Sequence, residues 1–121
     1  MKPKRWRTKY ENELARELWK AGFIVCRCPA SGGSKRSYPC LDLFAWCPRT
    51  GILYAIEVKS SSRCNDEKCL TQMLTQQEKE KMEKLRERGT IVLVALHSKG
   101  KWLWFVVRDG ELVRENPLVF C

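Results

Sequence analysis

The sequence predicts an α/β domain in which a mixed central β-sheet is flanked by helices. Three observations predict it. Two amphipathic stretches each open on a capping-box pattern and close on glycine, a tight hairpin has strands apolar on both faces, and two further apolar strands are joined by a short turn. Their order along the chain is helix, three strands, helix, two strands. At 121 residues the chain suffices for one core that buries roughly two thirds of its unfolded surface. Residues 10–121 therefore read as a single domain, and residues 1–9 as a flexible basic arm.

The first helix is announced by Thr8-Lys9-Tyr10-Glu11 and closed by Gly22. Leu14, Ala15, Leu18, Trp19 and Ala21 form its core-facing stripe, and Glu11 belongs to the same stripe. Glu11 either completes the capping box or points inward, and only the second explains its place on the buried face. Residues 23–27 read as a strand, and residues 29–37 as a glycine- and serine-rich loop that carries Ser31, Lys35 and Arg36 and delivers the chain into the next strand.

Residues 42–47 and 52–59 read as the two arms of a hairpin around Pro48-Arg49-Thr50-Gly51. If Cys47 faces Ile52, the same register sets Asp42 directly opposite Glu57, with Cβ atoms roughly 5 Å apart, where like charges destabilise a sheet. A bound cation removes that cost, and oxygen ligands at this separation suit Mg²⁺. Alternation along the strand puts Lys59 on the face of Glu57. Spacing alone also allows a solvated charged face. The flanking residues 43–46 and 53–56, apolar on both sides, favour a covered strand end over a casually wetted one.

After a polar stretch, 60–69, a second capping box, Thr75-Gln76-Gln77-Glu78, opens a helix that runs to about Arg88 and ends at Gly89, with Met82 and Leu85 as a thin buried stripe. Residues 91–96 and 102–107 are the last two strands, with His97 read as a polar strand-end residue. Trp102 and Trp104 share one face of the final strand and Leu103, Phe105 and Val107 the other. An uncovered apolar side of this kind invites a second subunit, aided by the tail 118–120.

Charge and cysteine usage narrow the class. Lys and Arg number 23 against 14 Asp and Glu, a net charge of +9, which points to a polyanionic partner, nucleic acid above all. Lys2, Lys4, Arg5, Arg7 and Lys9 surround Trp6 as in a phosphate-gripping arm, a solubilising tail being the alternative. Seven cysteines without a Cys-x-x-Cys pair, and one histidine, argue against structural zinc. Cys26, Cys28 and Cys47 read as buried small hydrophobes, while Cys64 and Cys69 lie in the polar stretch, where a disulfide is conceivable. No apolar run approaches the roughly 18–20 residues of a membrane span, and no signal-peptide core follows the basic start, so a soluble intracellular protein is expected.

The ordered set resembles the archaeal-type Holliday junction resolvases of the PD-(D/E)XK nuclease superfamily over residues 5–107. It comprises Glu11-Asn12-Glu13-Leu14 leading to Gly22-Phe23, then Arg27, Ser31 in the glycine-rich loop, Asp42-Leu43, and Ile56-Glu57-Val58-Lys59-Ser60. The resemblance implies a restriction-endonuclease-like core and a nuclease that cuts four-way DNA junctions as a homodimer. It further implies that Asp42, Glu57 and the Val58 carbonyl bind Mg²⁺, with Mn²⁺ as substitute, and that Glu11 binds or orients the ion. Lys59 would stabilise developing charge, Ser31 would meet phosphate, Arg27 would join Lys35 and Arg36 on the DNA, and Gln77 would stand beside the site. Asn12 and Leu41 depart from the family pattern, which usually has arginine and proline there. Related nucleases acting on flaps, nicks or single strands, and a non-catalytic basic binding module, are the alternatives.

Overall fold

The computed structural model describes residues 2–28, 40–118 and 121, with side chains from Lys9 onward. Its elements are α1 (Lys2–Lys20), β1 (Ile24–Arg27), β2 (Leu43–Trp46), β3 (Leu53–Ser60), α2 (Glu67–Met73), α3 (Gln76–Glu87), β4 (Ile91–Ser98), β5 (Lys101–Arg108) and β6 (Glu111–Arg114). The six strands form one sheet in sequence order. All neighbours pair antiparallel except β3 and β4, which run parallel. A parallel pair needs a crossover, and α2 with α3 supplies it.

The hairpin register is the expected one: Leu43 pairs Ile56, Phe44 pairs Ala55, Ala45 pairs Tyr54 and Trp46 pairs Leu53. Period-two alternation then sorts the sheet into two layers. One face carries Leu43, Ala45, Tyr54, Ile56, Val58, Leu93, Ala95 and Val106 and packs on Leu14 and Leu18 of α1. The other carries Ala55, Val92, Val94, Leu96, Phe105 and Val107 and packs on Leu70 of α2 and on Met82 and Leu85 of α3. Helices on both sides of one mixed sheet is the architecture expected.

Several boundaries differ from the sequence reading. Helix α1 begins at Lys2, so the capping-box pattern at Thr8 lies inside it, and the basic stretch expected as an arm is helical backbone. Lys and Arg are good helix formers, and Pro3 falls in the first turn, where its missing N–H costs nothing. The helix closes as expected: Gly22 has φ +101°, and the Phe23 and Gly22 amides bond back to the Leu18 and Trp19 carbonyls. The polar stretch before α3 contains α2, capped by Asp66 Oδ1 accepting from the Cys69 amide. Strand β6 extends the sheet beyond β5, so the strand read as final has a neighbour on each side.

Cys64 is bonded to Cys69, the disulfide the polar stretch allowed, and Cys47 is buried as expected. The rest of the cysteine reading is corrected: Cys28 is bonded to Cys40 and Cys47 to Cys121, whereas Cys26 is exposed rather than buried. Proximity across the fold, invisible in spacing, decides these two pairs. No helix among the described residues is long and apolar enough to cross a membrane.

Candidate active site

The residues that lead the sequence reading meet at one end of the sheet. Asp42 stands one residue before β2, and its Oδ2 accepts a hydrogen bond of 2.8 Å from the Val58 amide on the neighbouring strand. That bond fixes the Asp42 carboxylate against β3. Glu57 is only 4% exposed, and Lys59 follows it on the same face, its Nζ 3.6 Å from Glu57 Oε2.

A further side chain enters that sequence reading assigns only to the capping box. Glu78, third residue of α3, accepts from Lys59 Nζ with both oxygens, at 3.0 and 2.9 Å. Its Oε1 also accepts from the Thr75 amide at 2.9 Å, while Thr75 Oγ1 takes the Glu78 amide, closing the capping box. The neighbouring Gln77, expected beside the site, is exposed. The signal for Glu78 is indirect: a crossover between parallel strands must carry its helix back past the end of β3, but sequence does not say which residue of the first turn faces inward.

Electrostatics follow from this crowding. Burial pushes the Glu57 carboxyl well above its ordinary value, and the negative charges of Asp42 and Glu78 and a side-chain hydrogen bond with Glu78 add to the rise, against which Lys59 pulls down. Burial also acts upward on Glu78, but the Lys59 ammonium, the Thr75 amide and the bond with Glu57 outweigh it and hold Glu78 below its ordinary value. Burial and like charge thus work against ionisation of Glu57, while Lys59 and the Thr75 amide favour the charged form of Glu78.

Glu11 lies on the buried side of α1, as its place in the stripe predicts, with 8% exposure. Its Oε1 accepts from Arg27 Nη2 at 3.1 Å, and Arg27 Nη1 donates to Asn12 Oδ1 at 2.9 Å. Arg27 pairs with Leu43, next to Asp42, and the Cys28 amide bonds to the Asp42 carbonyl. Glu11 and Arg27 thus reach the Asp42 end of the sheet from the α1 layer, while Glu57, Lys59 and Glu78 occupy the α3 layer. Among the described residues no three His, Cys, Asp or Glu side chains gather around one cation position. The Asp42 and Glu57 pair fits a divalent ion that takes one or two carboxylates and fills its shell with water and phosphate, and the like-charge pressure on Glu57 is what such an ion relieves.

Other expected positions fall elsewhere. Ser31, Lys35 and Arg36 lie outside the described residues, as do the side chains of Lys2, Lys4, Arg5 and Arg7. Lys9 Nζ sits 5.8 Å above the ring of Tyr10. His97, at the strand end as expected, stacks on Tyr10 and meets Trp102 edge-on. Trp102 and Trp104 are half-buried on the α1 face, lining with Leu14, Leu18, Phe23 and Leu118 an apolar groove of about 440 Å³.

Comparison with known proteins places this geometry. Residues 2–109 match the family model described as archaeal Holliday junction resolvase (Hjc). The chain is 37% identical over 111 residues to the crossover junction endodeoxyribonuclease Hjc of Archaeoglobus fulgidus, an alignment covering 90% of this chain and 74% of that protein. It also superposes on the solved structure of Archaeoglobus fulgidus Hjc, a Holliday junction resolvase from an archaeal hyperthermophile, with a TM-score of 0.66 and 28% identity over 93% of this chain and 90% of the other. A match over most of the length, in sequence and in fold, with Asp42 at the entry to β2 beside Glu57 and Lys59 on β3, means that this chain belongs to the archaeal Holliday junction resolvase family.

Proposed function

We propose that the chain is a structure-specific endodeoxyribonuclease that resolves four-way DNA junctions by metal-dependent hydrolysis of phosphodiesters, working as a homodimer. The observation that carries the reading is the buried Glu57 carboxyl held against Asp42 with Lys59 on the same face. Asp42, Glu57 and the Val58 carbonyl would hold Mg²⁺, or Mn²⁺ in its place, with Glu11 orienting the site from the α1 layer. Bound there, the ion supplies Lewis acidity toward the scissile phosphate and lowers the pKa of water.

The protein's own groups do the rest. The Val58 amide keeps Asp42 aimed along the strand end. Lys59 Nζ stands beside Glu57 to offset negative charge as it accumulates on phosphorus-bound oxygens. Ser31, Lys35, Arg36 and Arg27, with Lys2, Lys4, Arg5, Arg7 and Lys9, would grip the backbone, consistent with the +9 net charge. Two opposed nicks need two active sites, which a two-fold dimer provides.

A panel of labelled junction, flap, nicked duplex and single-stranded DNA with Mg²⁺ tests the reading. Paired cuts in the junction are expected, and Asp42→Asn should lose them while still binding. Preferential cutting of flaps or single strands would replace the resolvase reading with another nuclease of the superfamily, and binding without any cutting would leave a nucleic-acid-binding module.

A further inference from the structure

Glu78 is the group in the site that the mechanism above does not use. Its carboxylate satisfies the helix cap with one oxygen toward Thr75, yet both oxygens also close on Lys59 Nζ, at 3.0 and 2.9 Å, nearer than Glu57 at 3.6 Å. The pair is well covered, with side-chain exposures of 14% for Lys59 and 18% for Glu78. A solvated surface ion pair contributes little and fixes nothing, but here one partner is locked by a capping box and the other is anchored on a central strand. We propose that Glu78 is a positioning residue of the nuclease site: it holds the Lys59 ammonium at a set distance from Glu57, so that Glu57 stays available to the cation.

The inference rests on the metal-dependent nuclease reading of the same site. Without the Glu78 charge, Lys59 has Glu57 as its nearest carboxylate, and the ammonium then competes with the cation for that oxygen. Groups that orient a ligand in this way typically matter by about 10- to 100-fold in metal affinity or activity.

Glu78→Gln is the test, because glutamine at the third helical position preserves the cap acceptor while removing the charge. With a four-way junction and Mg²⁺, kcat should fall about 10- to 100-fold with junction affinity unchanged. In a Lys59→Ala background the same substitution should have no further effect, because it acts through Lys59. Thr75→Ala, which breaks the cap but leaves the carboxylate on Lys59, should lower the melting temperature and retain kcat. Unchanged kcat in Glu78→Gln, or full additivity with Lys59→Ala, would overturn the proposal.

A second arm needs no cleavage. Mn²⁺ titration followed by electron paramagnetic resonance, without DNA, should show binding to Glu78→Gln weakened about tenfold. If the wild type binds Mn²⁺ but cuts no junction, the resolvase reading fails alone and the Mn²⁺ affinities decide the role of Glu78, equal values overturning it. A wild type that binds no Mn²⁺ overturns both.

Discussion

Glu57 concentrates the conflict on which the site is built. Its carboxyl is buried and faces Asp42 and Glu78, so its proton is held well above the ordinary carboxylate range. For an acid whose folded-state pKa is raised, the folded state binds the extra proton, and stability falls as pH rises from the ordinary value through the raised one. Glu78 has the opposite sign: its lowered value contributes stability above the ordinary carboxylate pKa, lost as pH falls through the lowered one. The metal-free protein should therefore melt highest in mildly acidic solution, and Mg²⁺ should move that optimum toward neutral pH by taking the place of the proton. Calorimetric melts across pH with and without Mg²⁺ measure this. Glu57→Gln should raise the metal-free melting temperature at pH 8, by about 3–6 °C for each kcal/mol of relieved repulsion, while cleavage falls more than about 100-fold, beyond the usual effect of outer-shell groups. A variant that melts lower at pH 8 would mean that the buried charge is already compensated.

Among the elements, α1 shows most directly how a local conformation is fixed by a distant part of the chain. Gly22 ends the helix at φ +101°, a region costly to residues with a Cβ, and a Cβ there would lie 2.5 Å from the Cys121 carbonyl oxygen. The Cys121 amide bonds to the Ala21 carbonyl at 2.9 Å, and its sulfur to Cys47 on the hairpin. Gly22→Ala should accordingly cost more than the ~1–2 kcal/mol of the left-handed backbone alone, because the tail must also move. Urea unfolding checks this, and a loss below about 1 kcal/mol would show that the tail gives way freely. The cap of α3 is the other fixed end. Thr75→Ala should cost about 1 kcal/mol on the same scale.

For the whole molecule, charge and oligomeric state are the properties that matter to DNA. The net charge of +9 is densest in residues 2–9, five of which are Lys or Arg, now in the first turns of α1. Every phosphate that the protein no longer neutralises should reduce the slope of log affinity against log salt by about 0.9. Deleting residues 1–7 should therefore flatten the salt dependence of junction binding, and an unchanged slope would mark the stretch as a solubility device. The groove beside Trp102 and Trp104 is the apolar surface from which the dimer is expected. Trp104→Glu should give a folded monomer by light scattering and circular dichroism that nicks singly instead of making paired cuts. A wild type that is itself monomeric would remove the dimer from the mechanism.

What the sequence by itself determined here is whatever local periodicity controls. Hairpin length and turn residues set the register that faces Asp42 toward Glu57, alternation put Lys59 beside them, and Thr75 with Glu78 announced the start of α3. The covered centre of β3, residues 54–58, followed from apolar residues on both faces, whereas Trp46 and Leu53 at the turn end of the hairpin are exposed. Only the tertiary structure decided what depends on contacts remote in sequence. The parallel pairing of β3 with β4 brings the first turn of α3 to the end of β3, so that Glu78, rather than Gln77, meets Lys59. The packing of α1 on the opposite layer gives Glu11 to Arg27. The Cys28–Cys40 and Cys47–Cys121 pairs, 12 and 74 residues apart, are set by which loops and strand ends the sheet brings together. Periodicity carries no information about such meetings, because each depends on how whole layers stack and not on any residue's neighbours in the chain.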